Sequence, residues 1–187
     1  PCELADKSVS HVYAAHVLEH LEFPDEFFFA LREVHRVLKP GGKFRLVVPD
    51  ARLWICAYAE SCASMRQDNN RLPINTSFFS AAQKSWPTWD WQRAPLLSLV
   101  LTYLGLPRSD GNPHKNGYDA DLMILSLEDA GFGRVHRSSY MGSDDPVFLI
   151  DDNSEAAQAA FEDANGDPVH FSLFIEAHRW YSDTADL

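Results

Sequence analysis

Apolar and polar positions over the first fifty residues fall into a strand, loop, helix, turn, strand rhythm. Val9, Val12 and Tyr13, with Ala14 and Ala15, make a short and mostly apolar run, the pattern of a parallel strand buried on both faces. A polar turn follows from His16. Pro24 then opens a helix in which Asp25 and Glu26 put negative charge in the first turn and Phe27, Phe28, Leu31, Val34 and Leu38 recur every three or four residues as one apolar stripe. Lys39 closes the helix cationically, Pro40 cannot continue it, and Gly41-Gly42 permit a tight reversal into a second strand, Lys43 to Val48. A strand-helix-strand crossover predicts parallel pairing with a right-handed connection.

Downstream the pattern is less regular. Ala51 to Met65 has helix-forming composition. Asn69 to Asp121, rich in Pro, Trp, Asn and Gly, reads as an insertion with short helices at Ser77 to Lys84 and Ala94 to Leu104, of the kind that covers an active-site mouth. Asp119 is the expected N-cap of a helix through Ala130, closed by Gly131 and Phe132. Arg134 to Met141 and Val169 to Ala177 read as strands, with a helix from Ser154 to Ala164 between them. The prediction is an α/β fold: four strands in one mixed sheet, an antiparallel member among the last two, and helices on both faces.

Composition narrows the class. A chain of 187 residues with 45% hydrophobic content suits a single domain over residues 1 to 187. A net charge of -11 argues against nucleic acid, whose recognition draws on a basic surface. Cys2, Cys56 and Cys62 form no spaced metal set and read as free thiols of a reducing compartment, Cys56 and Cys62 as inert packing thiols, so no metal is expected from them. No long apolar run marks a membrane span, and a cytoplasmic location is the expectation.

The residues also carry a resemblance. His16-Val17-Leu18-Glu19-His20-Leu21, Arg36-Val37-Leu38-Lys39-Pro40-Gly41-Gly42 and Arg45-Leu46-Val47-Val48-Pro49-Asp50 resemble the fourth and fifth strands of class I S-adenosylmethionine-dependent methyltransferases. His114-Lys115-Asn116, Ala130-Gly131-Phe132 and Ser172-Leu173-Phe174-Ile175-Glu176-Ala177 are similar to segments of a branch of small bacterial methyltransferases often associated with glycan metabolism. The resemblance implies a Rossmann-like methyltransferase fold with a truncated mixed sheet, S-adenosylmethionine as donor, and a small-molecule acceptor. It places Ala14, Ala15, His16 and Glu19 at the methionine end of the donor and makes His16, His20 or His114 the base. The family's glycine-rich strand-to-helix turn and its acidic ribose ligand do not occur in this sequence, so donor binding by this chain is expected to be weak or absent. Pro1 stands seven residues before Ser8, a start that fits a native terminus and a trimmed fragment equally. A non-catalytic relative, keeping the fold as a binding or assembly module, is the alternative.

Several features have two readings. His16-x-x-Glu19-His20 has the spacing of a zinc-protease helix, but only about one helical turn fits before Pro24, and the methyltransferase turn accounts for it better. Trp86, Trp89 and Trp91 suit either a sugar ring or the anchoring of an irregular segment. Asp50 and Arg52 follow the second strand's carboxyl end, where they suit a substrate contact or a surface salt bridge. The strand Val9 to Ala14 carries no lysine or proline to blunt its outer edge, so the chain is expected to form a homodimer through it.

Overall fold

The computed structural model of the chain describes residues 4–65, 114–163 and 165–180. β1 (Val9–Ala15) and β2 (Leu38–Pro49) are adjacent and parallel, with Val12 opposite Phe44 and Ala15 opposite Val47. Between them runs α1 (Asp25–Val37), whose apolar stripe buries Phe27 and Leu31 completely, as is Leu38 just beyond it. Each such side chain contributes about 1.5–3 kcal/mol by leaving water.

β2 starts at Leu38 rather than at the expected Lys43. Leu38 is drawn into the core opposite Val9, and the pairing then jumps to His11 against Lys43, so residues 39–42 bulge out of the strand opposite Ser10. The glycines make the bulge possible. Gly41 has φ 76°, and a Cβ on Gly42 would stand 2.8 Å from the Lys39 carbonyl oxygen and 3.1 Å from that of Ser10.

α2 (Ala51–Met65) matches its predicted span and buries Ala51, Trp54 and Ala57. Cys56 falls between these positions and is exposed, so it is not the packing thiol expected. α3 (Ala120–Asp129) has Asp119 as its N-cap, with Oδ1 accepting from the Leu122 N–H at 2.9 Å, and Gly131 follows at φ 96°. β3 (Phe132–Arg137) begins and ends before the predicted Arg134–Met141, because Phe132 is itself a core residue packed on Phe44 and His35, and a turn through Ser139 and Gly142 ends the strand.

The predicted helix from 154 to 164 is a correction. Ser154 does cap a helix, α4 (Glu155–Gln158), but it lasts one turn, and β4 (Ala160–Glu162) and β5 (Pro168–His170) then form a separate hairpin. Asp163 makes that turn by accepting from the Asn165 and Asp167 N–H groups, and Phe161 packs on the buried Phe171. The same hairpin corrects the strand expected over 169–177: Phe171 separates β5 from β6 (Ser172–Arg179), which lies in the main sheet.

That sheet has the order β1-β2-β6-β3, with β6 antiparallel to both neighbours, the mixed sheet anticipated from the sequence. One face, with Phe44, Leu46, Val48, Leu173, Ile175 and Ala177, carries α1 and the Met123 and Leu127 side of α3. The other face carries α4 through Ala157, packed on Val47 and Phe174, beside a buried ionic cluster around Arg45. β1 is an edge of the described sheet, and its side chains are half-buried, with Ser10 exposed, rather than buried on both faces. Among the described residues no helix is long and apolar enough to cross a membrane. Trp86, Trp89, Trp91, Cys2, the short helices expected at 77–84 and 94–104, and the side chain of Cys62 lie outside the described residues.

Candidate functional site

β1 delivers the chain into the polar turn at its carboxyl end. His16 takes φ 54°, a left-handed conformation that costs a residue with a side chain about 1–2 kcal/mol, while its N–H still donates to the Val47 carbonyl at 2.8 Å. Leu18–His20 follow as a single 3-10 turn, with Leu18 sunk into the core beneath it. The zinc-protease spacing therefore never lies on a long helix. What the turn does is drive Glu19 inward, where its side chain is wholly buried.

The carboxylate of Glu19 meets imidazoles. Oε1 lies 3.1 Å from His16 Nδ1 and 4.0 Å from His20 Nε2, and Oε2 is buried with no hydrogen-bond partner among the described residues. Because a carboxylate only accepts, the contact puts a proton on His16 Nδ1, and Nε2 lies 3.1 Å from the Ser172 hydroxyl oxygen, whose proton is donated to the Ala156 carbonyl at 3.2 Å. Both ring nitrogens of His16 have a polar neighbour, so this residue orients Glu19.

The segment beginning at His114 reaches the same place through backbone and side-chain donors. The N–H groups of Lys115 and Asn116 donate to the Glu19 carbonyl at 2.7 and 3.3 Å, the Asn116 amide donates to the Leu21 carbonyl at 2.7 Å, and the Tyr118 hydroxyl donates to the Leu18 carbonyl at 3.3 Å. Burial, assisted by the Glu19 charge, pushes the Tyr118 phenol well above its usual range, so it remains a donor. The clasp sets the buried His114 edge-on against His20, with ring centroids 4.9 Å apart. Potential ligand atoms of Glu19, His20 and His114 all lie within 4.8 Å of one another.

Of the residues singled out in the sequence, His16, Glu19, His20 and His114 come together, with Ala14 and Ala15 half-buried at the end of β1 just before them. Lys115 does not join them. It turns outward to Glu22 at 3.2 Å and Glu26 at 3.4 Å, contacts that raise its own pKa and help to lower that of Glu26. Asp50 is buried rather than a surface partner. It accepts from the Arg52 N–H at the start of α2 and from Arg137, and desolvation raises its pKa against the pull of Arg137. Arg52 lines a neighbouring cleft of about 490 Å³ with Asp119 and Asp121. Sequence reasoning assigned no role to Ser172 or Tyr118. The signal for Ser172 was a hydroxyl just ahead of the apolar run Leu173-Phe174-Ile175, and Tyr118 had none beyond its closeness to Asn116.

Residues 2–46, which span β1, the polar turn, α1 and the start of β2, match a protein family described as a methyltransferase domain. Over this stretch the chain is similar to that family. The methyltransferase match thus contains the whole first half of the site, His16 to His20, and stops before His114. A search of curated proteins returns no match. Among solved structures, a S-adenosylmethionine-dependent methyltransferase from Methanosarcina mazei aligns at 13% identity and TM-score 0.47, covering 97% of this chain and 64% of that one. One from Mesorhizobium loti aligns at 16% identity and TM-score 0.46, covering 96% and 65%. One from Archaeoglobus fulgidus aligns at 17% identity and TM-score 0.43, covering 94% and 62%. The chain spans under two thirds of the length of each.

Proposed function

We propose that this chain forms the acceptor side of a S-adenosylmethionine-dependent methyltransferase. The observation that carries the reading is the convergence of His16, Glu19, His20 and His114 on the carboxyl end of β1, within and beside the stretch that matches the methyltransferase family. Functional groups in open α/β sheets gather at the carboxyl ends of the strands. Ala14 and Ala15, half-buried at that end of β1, would meet the methionine end of the donor in this reading. Weak donor affinity remains the expectation, because the family's glycine-rich turn and acidic ribose ligand do not occur in this sequence.

The chemistry asks little of the protein beyond alignment and a proton acceptor. A donor held there would supply an electrophilic methyl group, and this chain's part would be to align the acceptor's oxygen or nitrogen with it and to take up the proton that the acceptor loses. Orientation of two reactants in this way contributes about 7–11 kcal/mol to such reactions, and a positioned base about 10²–10⁴-fold. In this reading His20 and His114, flanking Glu19, face the acceptor, and His16 holds the carboxylate. A small hydroxyl or amine acceptor, a glycan among them, suits a chain of net charge -11 better than a polyanion does.

Amide chemical shifts of the labelled chain, followed during titration with S-adenosylhomocysteine, test the site. Movement concentrated at Ala14 to His20 and at His114 to Asn116 is expected. Shifts confined to α3 or to the hairpin of β4 and β5 would contradict it.

A further inference from the structure

The geometry points to a divalent metal site formed by Glu19, His20 and His114, taking Zn²⁺ or a metal of similar ligand preference. Two imidazoles and one carboxylate are a recurrent ligand set for such ions, with an open position left for a substrate atom or water. Ligand atoms of a tetrahedral zinc site stand roughly 3.4 Å apart, given bonds of about 2.0–2.1 Å. Those of Glu19, His20 and His114 already lie within 4.8 Å, so modest rotamer adjustments bring all three onto one ion.

A second and independent observation comes from Glu19 itself. Its side chain is wholly buried, and Oε2 has no hydrogen-bond partner among the described residues. An unpaired buried carboxylate oxygen is costly, typically by about 1–3 kcal/mol or more when charged. A cation bound beside it removes that penalty. His16 supplies the outer support that such ligands usually have, since its Nδ1–H fixes Oε1 at 3.1 Å and its other nitrogen lies against the Ser172 hydroxyl. The strained φ of 54° at His16 and the backbone clasp from Lys115 and Asn116 keep the two halves of the set in register.

This inference goes beyond methyl transfer and is tested without it, so an empty site would leave the proposed function standing and an occupied one would not establish it. Calorimetric titration of the metal-stripped chain with Zn²⁺ alone is expected to show one equivalent of binding. Glu19→Gln, which preserves shape and removes charge, should weaken it at least about tenfold, His114→Ala likewise, and His136→Ala, at an exposed histidine, should leave it unchanged. With Co²⁺ alone, the parent chain should develop the visible absorption of a low-coordinate site and Glu19→Gln should not. Zn²⁺ should also raise the Tm of the parent chain and not that of Glu19→Gln, a readout that stands even if His114→Ala does not fold. Absence of stoichiometric binding by the parent chain, or equal affinity in Glu19→Gln, overturns the site.

Discussion

Replacing Arg45 by Met should be among the most damaging single changes in the described part of the chain. The guanidinium is fully buried on β2 and all of its N–H groups face acceptors: Nε and Nη2 donate to Asp151 at 3.1 and 2.6 Å, Nη1 to Glu176 at 2.5 Å and to the Ser138 hydroxyl at 3.0 Å, and Nη2 also to the Ser139 carbonyl at 2.8 Å. Asp151 and Glu176 are buried too, so Arg45→Met leaves two carboxylates in the interior with no cation between them. Breaking a buried ion pair by removing one partner costs about 3–5 kcal/mol. Part of the deficit is softened because the Tyr13 hydroxyl and the Met141 N–H still donate to Asp151. For a chain of this size each kcal/mol lowers Tm by about 2–4 °C, so a fall of roughly 6–20 °C is expected. Urea unfolding followed by circular dichroism reads it directly, and adding Glu176→Gln to Arg45→Met should recover part of the loss. A loss below about 1 kcal/mol would refute the reasoning, because it would mean that the segment carrying Asp151 is not docked over this face of the sheet.

Asp145 accepts from Lys43 at 2.6 Å, which holds its carboxyl down from the ordinary 3.8 to about 2, so its stabilising contribution is present above pH 3.8 and is lost as the pH falls through 2. Asp145→Asn should flatten the acid limb of a pH-dependent unfolding series over that window. Gly42→Ala should destabilise by about 1–3 kcal/mol in the same urea assay, since its Cβ would press on the Lys39 carbonyl oxygen at 2.8 Å. Calorimetry with S-adenosylmethionine should give an affinity weaker than micromolar, and a micromolar constant would show that the nucleoside finds partners not foreseen here. Because β1 is an edge of the described sheet, light scattering at tens of micromolar is expected to detect a dimer that Ser10→Lys, a charge at an exposed position of β1, weakens.

The elements legible in the sequence were those whose local signals agreed with their burial. The stripe through Phe27, Leu31 and Leu38 and the cap at Asp119 announced α1 and α3 because the same residues that favour a helix also fill the core or satisfy its end. Over 154–170 the signals disagreed. Glu155 to Ala164 is helix-forming in composition, yet Phe161 gains more by packing on Phe171 across a hairpin than by continuing a helix into solvent. Hydropathy gave Arg45 no special standing, because its partners Asp151 and Glu176 lie far along the chain and only the fold brings them to it. In the candidate site, His16, Glu19 and His20 were visible as neighbours in the chain, and His114 was singled out by its motif, whereas the contacts that bring it to Glu19, from the Lys115 and Asn116 N–H groups, the Asn116 amide and the Tyr118 hydroxyl, exist only in the fold.

Saturation-transfer difference NMR on S-adenosylmethionine in the presence of the chain tests most directly whether the turn after β1 is the methyl-transfer side of the site. Magnetisation passes only to ligand protons that touch the protein, so the experiment reports which half of the donor this chain contacts. The account predicts the strongest transfer to the sulfonium methyl and the methionine methylenes, reduced in His16→Ala and Glu19→Gln. Transfer strongest at the adenine protons, and indifferent to those substitutions, would contradict it.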